Sequence, residues 1–486
     1  MSRKIVYKTY TQDQLSLLPP SYDDLVPANH PVRIVNTIID HLDISHLEKS
    51  YKGGGSSSYH PRMLLKVVVY AYLRNLYSSR KIEQALHENI HFIWLSGQSK
   101  PDHNTINNFR GKRLKGHFKK IFNQVVLLLN DQGYLSLKDL YVDGTKLEAN
   151  AGRYSFVWGK GIKTNRSKML NKLKELWSYV EEVYQDEEQL PNAPDFEQID
   201  SAKLQATITH INALLSGKEV KKKVREKLNY AQKHWVINLK KYEKQEKLLN
   251  GRNSMSKTDP DASFMRMKDD HMKNGQLKPG YNLQVSSNNH FIVNYSLAQT
   301  TADTTSFIAH LEQYKQSFPN RALSQVTADA GYGSEENYQY LQENQTTAFV
   351  KYNYFHKELK EQKKGTQNPF AVDQLFYNPQ SDTYYCPAGQ AMNYIGTIKH
   401  KTTTGYIQTI RQYQAQNCKG CPLRGQCHKA KENRIIQRNE NLIRHKKKAK
   451  ELLTSDQGIK QRKQRSWDVE GVFGNIKHNM NFRRFY

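Results

Sequence analysis

The 486-residue sequence predicts an α/β protein in which a mixed β-sheet core follows an all-helical domain and carries two insertions. Three observations lead to this prediction. Residues 1–135 carry apolar side chains at helical spacing, short apolar β runs and helical segments make up residues 136–160 and 255–352, and all four cysteines fall between positions 386 and 427. The length also favours several domains, because chains beyond roughly 250 to 300 residues usually divide their cores.

The charge of the chain indicates a polyanionic partner. The sequence has 73 Lys and Arg against 46 Asp and Glu, which gives a formal net charge of +27. Phosphate polymers are the obvious counter-charge, and a basic ribosome-associated or merely well-solvated surface is the alternative. Because no segment approaches the ~20 consecutive apolar residues of a membrane span and the N-terminus lacks a secretory apolar region, we expect a cytoplasmic protein with no membrane partner.

Residues 1–135 are predicted to form a helical DNA-binding domain. After a flexible glycine- and serine-rich stretch at residues 53–58, helical spacing marks residues 62–76, and Ser79 can cap a second helix. Asp102 is the predicted N-cap of a third helix that continues into a basic run. Asn and Arg suit base edges and Lys suits phosphates, so we expect a helix-turn-helix-like unit, against the alternative of a small helical domain with a basic face. Its candidate DNA contacts are Asn104, Asn107, Arg110, Lys112 and Arg113.

Two aspartates mark predicted strands of the core. Asp143 follows Leu140 and Val142, and Asp329 follows Val326. Each precedes a glycine within two residues, which predicts a carboxylate at the end of a buried strand with a turn behind it. Between them, residues 161–254 are rich in Lys, Glu and Leu and predict antiparallel helices with charged outer faces. This helical insertion is either a DNA-gripping or dimerising arm or a solvated helical hairpin.

The order of elements predicts the type of core. A hairpin around a polar SSNN turn begins at Gly280, a helix is expected over residues 304–317, Ser334 can cap the next helix, and TTAFVKY supplies another strand. The order is therefore strand with Asp, hairpin, helix, strand with Asp, helix, strand. This is the layout of an RNase H-like α/β core.

The cysteines lie in a second predicted insertion, residues 353–440. Cys386 stands in YYCPAGQ, and NCKGCPLRGQC contains Cys418, Cys421 and Cys427, with His428 alongside. A C-x-x-C pair with two further cysteines predicts a structural Zn²⁺ site of four thiolates in a small zinc-ribbon-like insertion. His428 could replace one thiolate, iron–sulfur ligation is the minor alternative, and disulfides are disfavoured inside a cell.

Residues 441–486 form a basic segment followed by a predicted helix of the core. One apolar face is expected from residues at i, i+3, i+4 and i+7, namely Val469, Val472, Phe473 and Ile476. Glu470 borders this face, and Lys477 follows about two turns later on the same side. Three carboxylates from two strands and a helix could hold a pair of hard divalent cations for phosphoryl transfer. The alternative makes Glu470 an ordinary exposed helix residue.

Several motifs in this order resemble the DDE-type transposases of bacterial insertion sequences. They are YVDGTKLEAN, GYNLQV, TADAGYGSEENYQYL, CPAG, CKGCPLRGQC and VEGVFGNIK, and the resemblance runs from PANHPVR to the C-terminus. It implies that Asp143, Asp329 and Glu470 bind two catalytic Mg²⁺ or Mn²⁺ ions and that Lys477 holds the DNA backbone. Relatives often carry Tyr and Arg seven and four residues before the glutamate. Here those positions are Lys463 and Ser466, and Arg465 is expected to substitute for the arginine.

The resemblance also implies the activity and the partners. A transposase of this type would bind terminal inverted repeats, cleave DNA strands with divalent metal and join them to target DNA. Its partners would be double-stranded DNA at element ends and target, with a homodimer assembled on DNA. Two rivals remain: a metal-dependent nuclease that cuts without joining, and a catalytically inactive DNA-binding remnant of a transposase.

Overall fold

A computed structural model describes residues 12, 17, 20–51, 57–184, 192–196, 199–267 and 275–485. The chain divides into two compact units, Met1–Ser136 with His478–Asn481, and Leu137–Lys477 with Phe482–Tyr486. Residues 53–56 of the glycine- and serine-rich stretch lie outside the described ranges. Among the described helices, none is long and apolar enough to cross a membrane.

The first unit is helical. Its helices are α1 Pro31–Asp40, α2 Ser45–Glu48, α3 Pro61–Leu73, α4 Ser79–Glu88, α5 Ile90–Leu95, α6 His103–Asn108 and α7 Phe118–Asp131, with a π-helical turn at Phe109–Arg113. Their apolar faces share one core that includes Leu65, Tyr70 and Phe92.

The helix starts in this unit follow local chemistry. Pro61 occupies the first turn of α3, where a missing backbone N–H costs nothing, and the His60 ring accepts a hydrogen bond from the backbone N–H of Arg62. The Asp102 cap is confirmed, since its carboxylate accepts a hydrogen bond of 2.8 Å from the backbone N–H of Thr105. The Ser79 cap is wrong by one residue. Ser79 is the first residue of α4 and Ser78, with extended backbone, is the cap.

The second unit is built on a mixed six-stranded sheet. Its strands are β1 Asp139–Glu148, β4 Ser263–Arg266, β5 Leu277–Asn288, β6 Phe291–Ala298, β7 Gln325–Ala328 and β8 Thr347–Val350. The order is β4-β5-β1-β7-β8, with β6 also paired to β5. The β1–β7 and β7–β8 pairs are parallel, whereas β5 is antiparallel to β1, β4 and β6. The helices around it are α12 Phe307–Ser317, α13 Glu335–Glu343, α14 Phe355–Lys364, α16 Glu440–Thr454 and α17 Asp456–Gly474.

The predicted hairpin and the Ser334 helix cap of this core are present, but the predicted SSNN turn is wrong, because residues 286–288 belong to β5. Strands β5 and β6 are joined at Asn289 and His290, both with positive φ, as a tight hairpin turn requires. Ser334 caps α13 through a hydrogen bond from the backbone N–H of Asn337.

The helical insertion begins and ends at a two-stranded β-ribbon. Strand β2, Phe156–Trp158, pairs antiparallel with β3, Ser254–Ser256, so the two ends of the insertion meet. Between them lie α8 Gly159–Val183, α9 Ser201–Leu214, α10 Lys222–Tyr230 and α11 Val236–Leu249. They enclose a separate apolar core around Leu173, Trp177 and Ile208.

The cysteine-rich insertion contains a five-stranded antiparallel sheet of order β13-β12-β11-β10-β9. The strands are β9 Phe376–Asn378, β10 Thr383–Tyr385, β11 Ala391–Lys401, β12 Ile407–Ala415 and β13 Ile435–Arg438, with the short helix α15 Arg424–Cys427 between the last two. Tyr384, Met392, Tyr413 and Ile436 form its own small core.

One sequence prediction about the core is wrong. Asp143 does not end a strand, because β1 continues through Gly144 to Glu148 and pairs with β5 along this length. Gly144 therefore makes no turn. It faces Gln284 on β5, and a Cβ atom at Gly144 would lie 2.5 Å from Gln284 Nε2 and 2.8 Å from Asp303 Oδ1. The glycine is needed for close approach of these side chains, a need that a local turn pattern does not reveal.

Candidate active site

Asp143 and Asp329 emerge from neighbouring parallel strands. Val142 of β1 pairs with Ala328 of β7, and each aspartate directly follows one member of this pair in the sequence. The strands that carry or precede the two aspartates are therefore neighbours in one sheet. Asp329 differs from Asp143 in standing just beyond its strand, where its carboxylate accepts a hydrogen bond of 2.8 Å from the backbone N–H of Gly331. That bond begins the single 3₁₀ turn Ala330–Tyr332.

Helix α17 covers the face of the sheet to which Asp143 points. Side chains alternate between the two faces of a strand, and Val285, the residue opposite Asp143 on β5, packs in a cluster with Val472 of α17. From the same helix, Arg465 Nη1 lies 3.1 Å from Asp143 Oδ2, with only 12% and 15% of the two side chains exposed. This ion pair and a hydrogen bond of 2.8 Å from the Tyr141 hydroxyl to Gln461 Oε1 both join α17 to β1.

A second cation, Lys351, lies near the two aspartates and was missed in the sequence. It follows strand β8. Burial lowers the pKa of Lys351 from its ordinary value, the positive charges of Arg465 and Arg462 lower it further, and the negative charges of Asp329 and Asp143 oppose this. Its position in TTAFVKY does not indicate a functional role, because a lysine at the end of a strand is usually solvated.

Glu470 lies on α17, as predicted, but its side chain is exposed. Its carboxylate accepts a hydrogen bond of 2.7 Å from the Ser466 hydroxyl, one turn earlier. The predicted apolar face of this helix is confirmed: Val469 and Val472 are buried, and Phe473 and Ile476 pack in the same cluster as Val472.

Lys477 differs from Glu470 in its surroundings. It is 9% exposed and lies in the π-helical turn Asn475–Asn479. The i→i+5 hydrogen bonds of such a turn widen the helix, so a spacing of seven residues is no longer two turns. The role of Lys477 toward DNA remains a prediction.

Asp143 and Asp329 have the chemistry of metal ligands. Asp143 and Asp329 are hard oxygen donors of the kind that Mg²⁺ and Mn²⁺ prefer, and they stand side by side. Within the described ranges, however, no three His, Cys, Asp or Glu side chains are placed to hold one metal ion. The assignment of Asp143, Asp329 and Glu470 as ligands of one metal site therefore stays a prediction.

A further carboxylate, Asp303, lies near Asp329 on the other side of Gly331 and was not singled out in the sequence. Its Oδ1 accepts hydrogen bonds from Asn282 Nδ2 at 2.8 Å and from Gln284 Nε2 at 3.0 Å. Gln284 Oε1 in turn accepts a hydrogen bond from the hydroxyl of Tyr332. A signal existed: Asn282, Gln284 and Ser286 alternate with Leu283 and Val285, and polar side chains in that pattern on a buried face need partners.

The predicted DNA contacts of the helical unit fall into two groups. Asn104, Asn107 and Lys112 are exposed. Arg110 instead donates a hydrogen bond of 2.6 Å to the backbone carbonyl of Tyr77, and the Arg113 guanidinium lies 4.6 Å from the centre of the Tyr51 ring. Both arginines thus make contacts within the unit, and Arg113 is exposed together with the three polar side chains.

The four cysteines are brought together as the sequence pattern predicted. Cys386, Cys418, Cys421, Cys427 and His428 line one cavity of about 20 Å³, which is room for a single ion or water molecule. Arg434 also enters this cluster, with Nη1 3.1 Å from Cys427 Sγ and its backbone N–H 3.4 Å from Cys418 Sγ. The sulfur atoms share a cavity without reaching metal-coordinating geometry.

His428 is suited to the same cluster. Its Nε2 is buried and has no hydrogen-bond partner among the described residues. Burial lowers the pKa of His428, and the positive charges of Arg424 and Arg434 lower it further. Both effects favour the neutral imidazole, which is the form that binds metals.

Comparisons with known proteins identify two parts of the chain. Residues 20–112 match the family model described as Transposase domain (DUF772), and residues 385–486 match the family model described as Transposase DDE domain. The second range contains the four cysteines, Arg465, Glu470 and Lys477, whereas Asp143 and Asp329 lie between the two ranges. Comparison with the curated proteins and with the solved structures found no match. Both matched models are transposase domains, and together they support the identification of this chain as a DDE-type insertion-sequence transposase.

Proposed function

We propose that this chain binds the terminal inverted repeats of an insertion sequence and catalyses metal-dependent cleavage and transfer of DNA strands. The observation that carries the proposal is the pair Asp143 and Asp329 on adjacent parallel strands, with α17 packed across them. Two carboxylates side by side on a mixed sheet are what an RNase H-like phosphoryl-transfer core requires, and the net charge of +27 suits a DNA partner.

Asp143 and Asp329 would hold Mg²⁺ or Mn²⁺, and Glu470 would complete the ligand set. Such ions supply an activated water and stabilise the leaving oxygen of the scissile phosphate. Arg465 suits two binding partners, the Asp143 carboxylate and a DNA phosphate. In the structure it neutralises Asp143, and a guanidinium binds a phosphate with the same fork of donors. We propose that Arg465 and Lys477 hold the DNA backbone at the site and that the exposed Asn104, Asn107 and Lys112 contact the inverted repeats.

The cysteine cavity is proposed as a structural Zn²⁺ site. Four sulfur ligands leave no open position for substrate, so the ion would stabilise the insertion without taking part in chemistry. His428 is the alternative fourth ligand because its buried Nε2 points to no other described partner. A homodimer on DNA is also proposed, since two element ends have to be brought together.

A strand-transfer assay tests the proposed activity. The full chain is incubated with a labelled element end, a target plasmid and Mg²⁺ or Mn²⁺, and nicked and joined products are measured separately. Asp143→Asn and Asp329→Asn are expected to lower both products at least 100-fold. Asp373→Asn is the matched control, since this aspartate pairs with Arg438 in the cysteine-rich insertion and 75% of its side chain is exposed.

The outcomes separate the rival functions. Nicking without joining indicates a nuclease, and binding of element ends without nicking indicates an inactive remnant. Full activity of Asp143→Asn or Asp329→Asn contradicts the proposed site. Full activity of Glu470→Gln, with both aspartate variants inactive, removes Glu470 from the ligand set.

A further inference from the structure

Asp303 is the centre of a buried polar network on the face of the sheet opposite Asp143. Asn282 and Gln284 are almost fully buried and both donate to Asp303 Oδ1. Gln284 Nε2 also donates to Asn282 Oδ1, at 3.0 Å. Both side-chain amides thus donate to one carboxylate oxygen, which accepts the two hydrogen bonds.

The carboxylate determines how the Gln284 amide is oriented. Because Nε2 is directed to Asp303 and Asn282, Oε1 is left to accept the hydroxyl proton of Tyr332. The side chain of Tyr332 is fully buried. Burial raises the pKa of the Tyr332 hydroxyl well above its ordinary value, and the charges of Asp303, Asp143 and Asp329 raise it further. The hydroxyl therefore stays protonated and keeps its role as donor.

Tyr332 connects the network to the turn that carries Asp329. The turn Ala330–Tyr332 starts at Asp329, so a fixed Tyr332 ring fixes the end of a three-residue segment. A second link runs through Asn337, whose Nδ2 donates to the backbone carbonyl of Tyr332 at 2.8 Å and to that of Thr304 at 3.1 Å. The segment after Asp303 and the segment after Asp329 are therefore joined at two points.

The two glycines of the site leave room for this arrangement. A Cβ atom at Gly331 would lie 3.0 Å from Asp329 Oδ1 and 3.5 Å from Asp303 Oδ2, so the two carboxylates flank the same small space. Gly144 provides the corresponding space beneath β1.

We propose that Asp303 is a positioning residue for the DNA cleavage reaction. It orients Gln284, Gln284 holds Tyr332, and Tyr332 sets the turn that presents Asp329 beside Asp143. The expected effect of Asp303 on DNA cleavage, its chemical consequence, rests on the proposed function. The mechanical part, the effect of Asp303 on the turn after Asp329, does not depend on that function. A network that merely stabilised the sheet would lower the amount of folded protein and leave the metal requirement of the folded fraction unchanged.

Hydrogen–deuterium exchange of the full-length protein tests the mechanical part. Exchange of the amides of Gly331, Tyr332 and Gly333 is compared in wild type, Asp303→Ala, Asp303→Asn and Tyr332→Phe. We expect about tenfold faster exchange in Asp303→Ala and Tyr332→Phe, and a smaller change in Asp303→Asn because asparagine retains an acceptor oxygen. The double variant Asp303→Ala/Tyr332→Phe should exchange no faster than the faster single variant, since both changes break one chain of bonds.

Asp382→Asn is the matched control. Asp382 accepts hydrogen bonds from the hydroxyls of Tyr377 and Tyr413 and pairs with Arg411, all within the cysteine-rich insertion. Its replacement removes a charge from a comparable network and should leave exchange of the Asp329 turn unchanged. Unchanged turn exchange in Asp303→Ala, or equal acceleration in Asp382→Asn, overturns the proposal.

The chemical consequence is measured with Mn²⁺. The concentration that gives half-maximal nicking should rise about tenfold in Asp303→Ala, with partial recovery in Asp303→Asn. An unchanged half-maximal concentration, with faster turn exchange, also overturns the assignment, since the turn would then move without affecting metal use. If the wild type does not nick DNA at all, the proposed function fails, and the exchange experiment still decides whether Asp303 holds the turn.

Discussion

The Gly144→Ala substitution adds a methyl group at a closely packed point of the candidate site. The backbone at Gly144 has no positive φ, so alanine is permitted there by conformation alone. The obstacle is space. The added Cβ would lie 2.5 Å from Gln284 Nε2, 2.8 Å from Asp303 Oδ1 and 3.1 Å from the Tyr332 hydroxyl. The first two distances are shorter than any ordinary contact of a methyl group, so these side chains have to move.

The magnitude follows from what must move. Overpacking a filled interior costs about 1–3 kcal/mol, and straining the Asp303–Gln284 bond, which involves a charged acceptor, costs about 1–3 kcal/mol more. Replacing glycine in a strand raises the free energy of unfolding by roughly 0.5–1 kcal/mol, because the unfolded chain loses conformational freedom. We therefore expect the free energy of unfolding to fall by about 1–5 kcal/mol.

Urea unfolding followed by tryptophan fluorescence measures this change. Four of the five tryptophans, Trp158, Trp177, Trp235 and Trp467, lie in the unit that contains Gly144. Gly474→Ala is the control, since a Cβ there meets no atom within 4 Å and the residue ends α17. It should leave the free energy of unfolding unchanged or raise it by up to about 1 kcal/mol. Equal stability of Gly144→Ala and wild type would refute the steric argument.

Three further predictions concern other parts of the second unit. Glu335 is 3% exposed and accepts hydrogen bonds from Gln408 at 3.0 Å and Asn441 at 2.8 Å, so Glu335→Gln should lower the free energy of unfolding by about 2–4 kcal/mol in calorimetry. Burial lowers the pKa of His445 below 6.5, so the free energy of unfolding should decrease as the pH falls below about 6.5. The His445→Phe substitution should therefore reduce the difference in Tm between pH 7.5 and pH 5.5. Cys421→Ser should lower bound zinc from about one ion per chain toward zero by elemental analysis.

Each of these predictions has a control and a contradicting result. Glu343→Gln, at the exposed end of the same helix, should change stability by less than about 0.5 kcal/mol, and a similar effect at both glutamates would rule out the anchoring role of Glu335. For His445, the exposed His41→Phe should leave the pH dependence of Tm unchanged, and an identical pH profile for His445→Phe and wild type contradicts the linkage. For the cysteine cluster, a zinc-free wild type contradicts the proposed metal site.

The sign of the pH effect follows from the direction of the shift. The neutral imidazole of His445 is favoured in the folded state, so above pH 6.5 neither state binds a proton and the full stability is present. Below that value the unfolded state binds a proton first and is favoured. The direction is the same for His428 and His356, whose pKa values burial also lowers.

For helix α17, the local sequence pattern predicted the buried face but not the position of Glu470. Its apolar face at Val469 and Val472 was predicted from spacing, because burial of a helix depends on a period of 3.6 residues that is visible in the chain. The position of Glu470 relative to Asp143 was not predictable in the same way. It depends on the rotation of the helix over the sheet, and in the structure Arg465 faces Asp143.

Local patterns in the chain were sufficient for the helical first unit, for two aspartates on neighbouring strands and for four cysteines around one cavity, because apolar periodicity and ligand spacing act over a few residues. Tertiary structure alone showed that Asp143 lies within its strand, that Arg465 and Lys351 stand near it, and that Asp303 joins the site through Gln284 and Tyr332. These contacts connect residues far apart in sequence. Their geometry depends on strand register and helix rotation, which no short segment specifies.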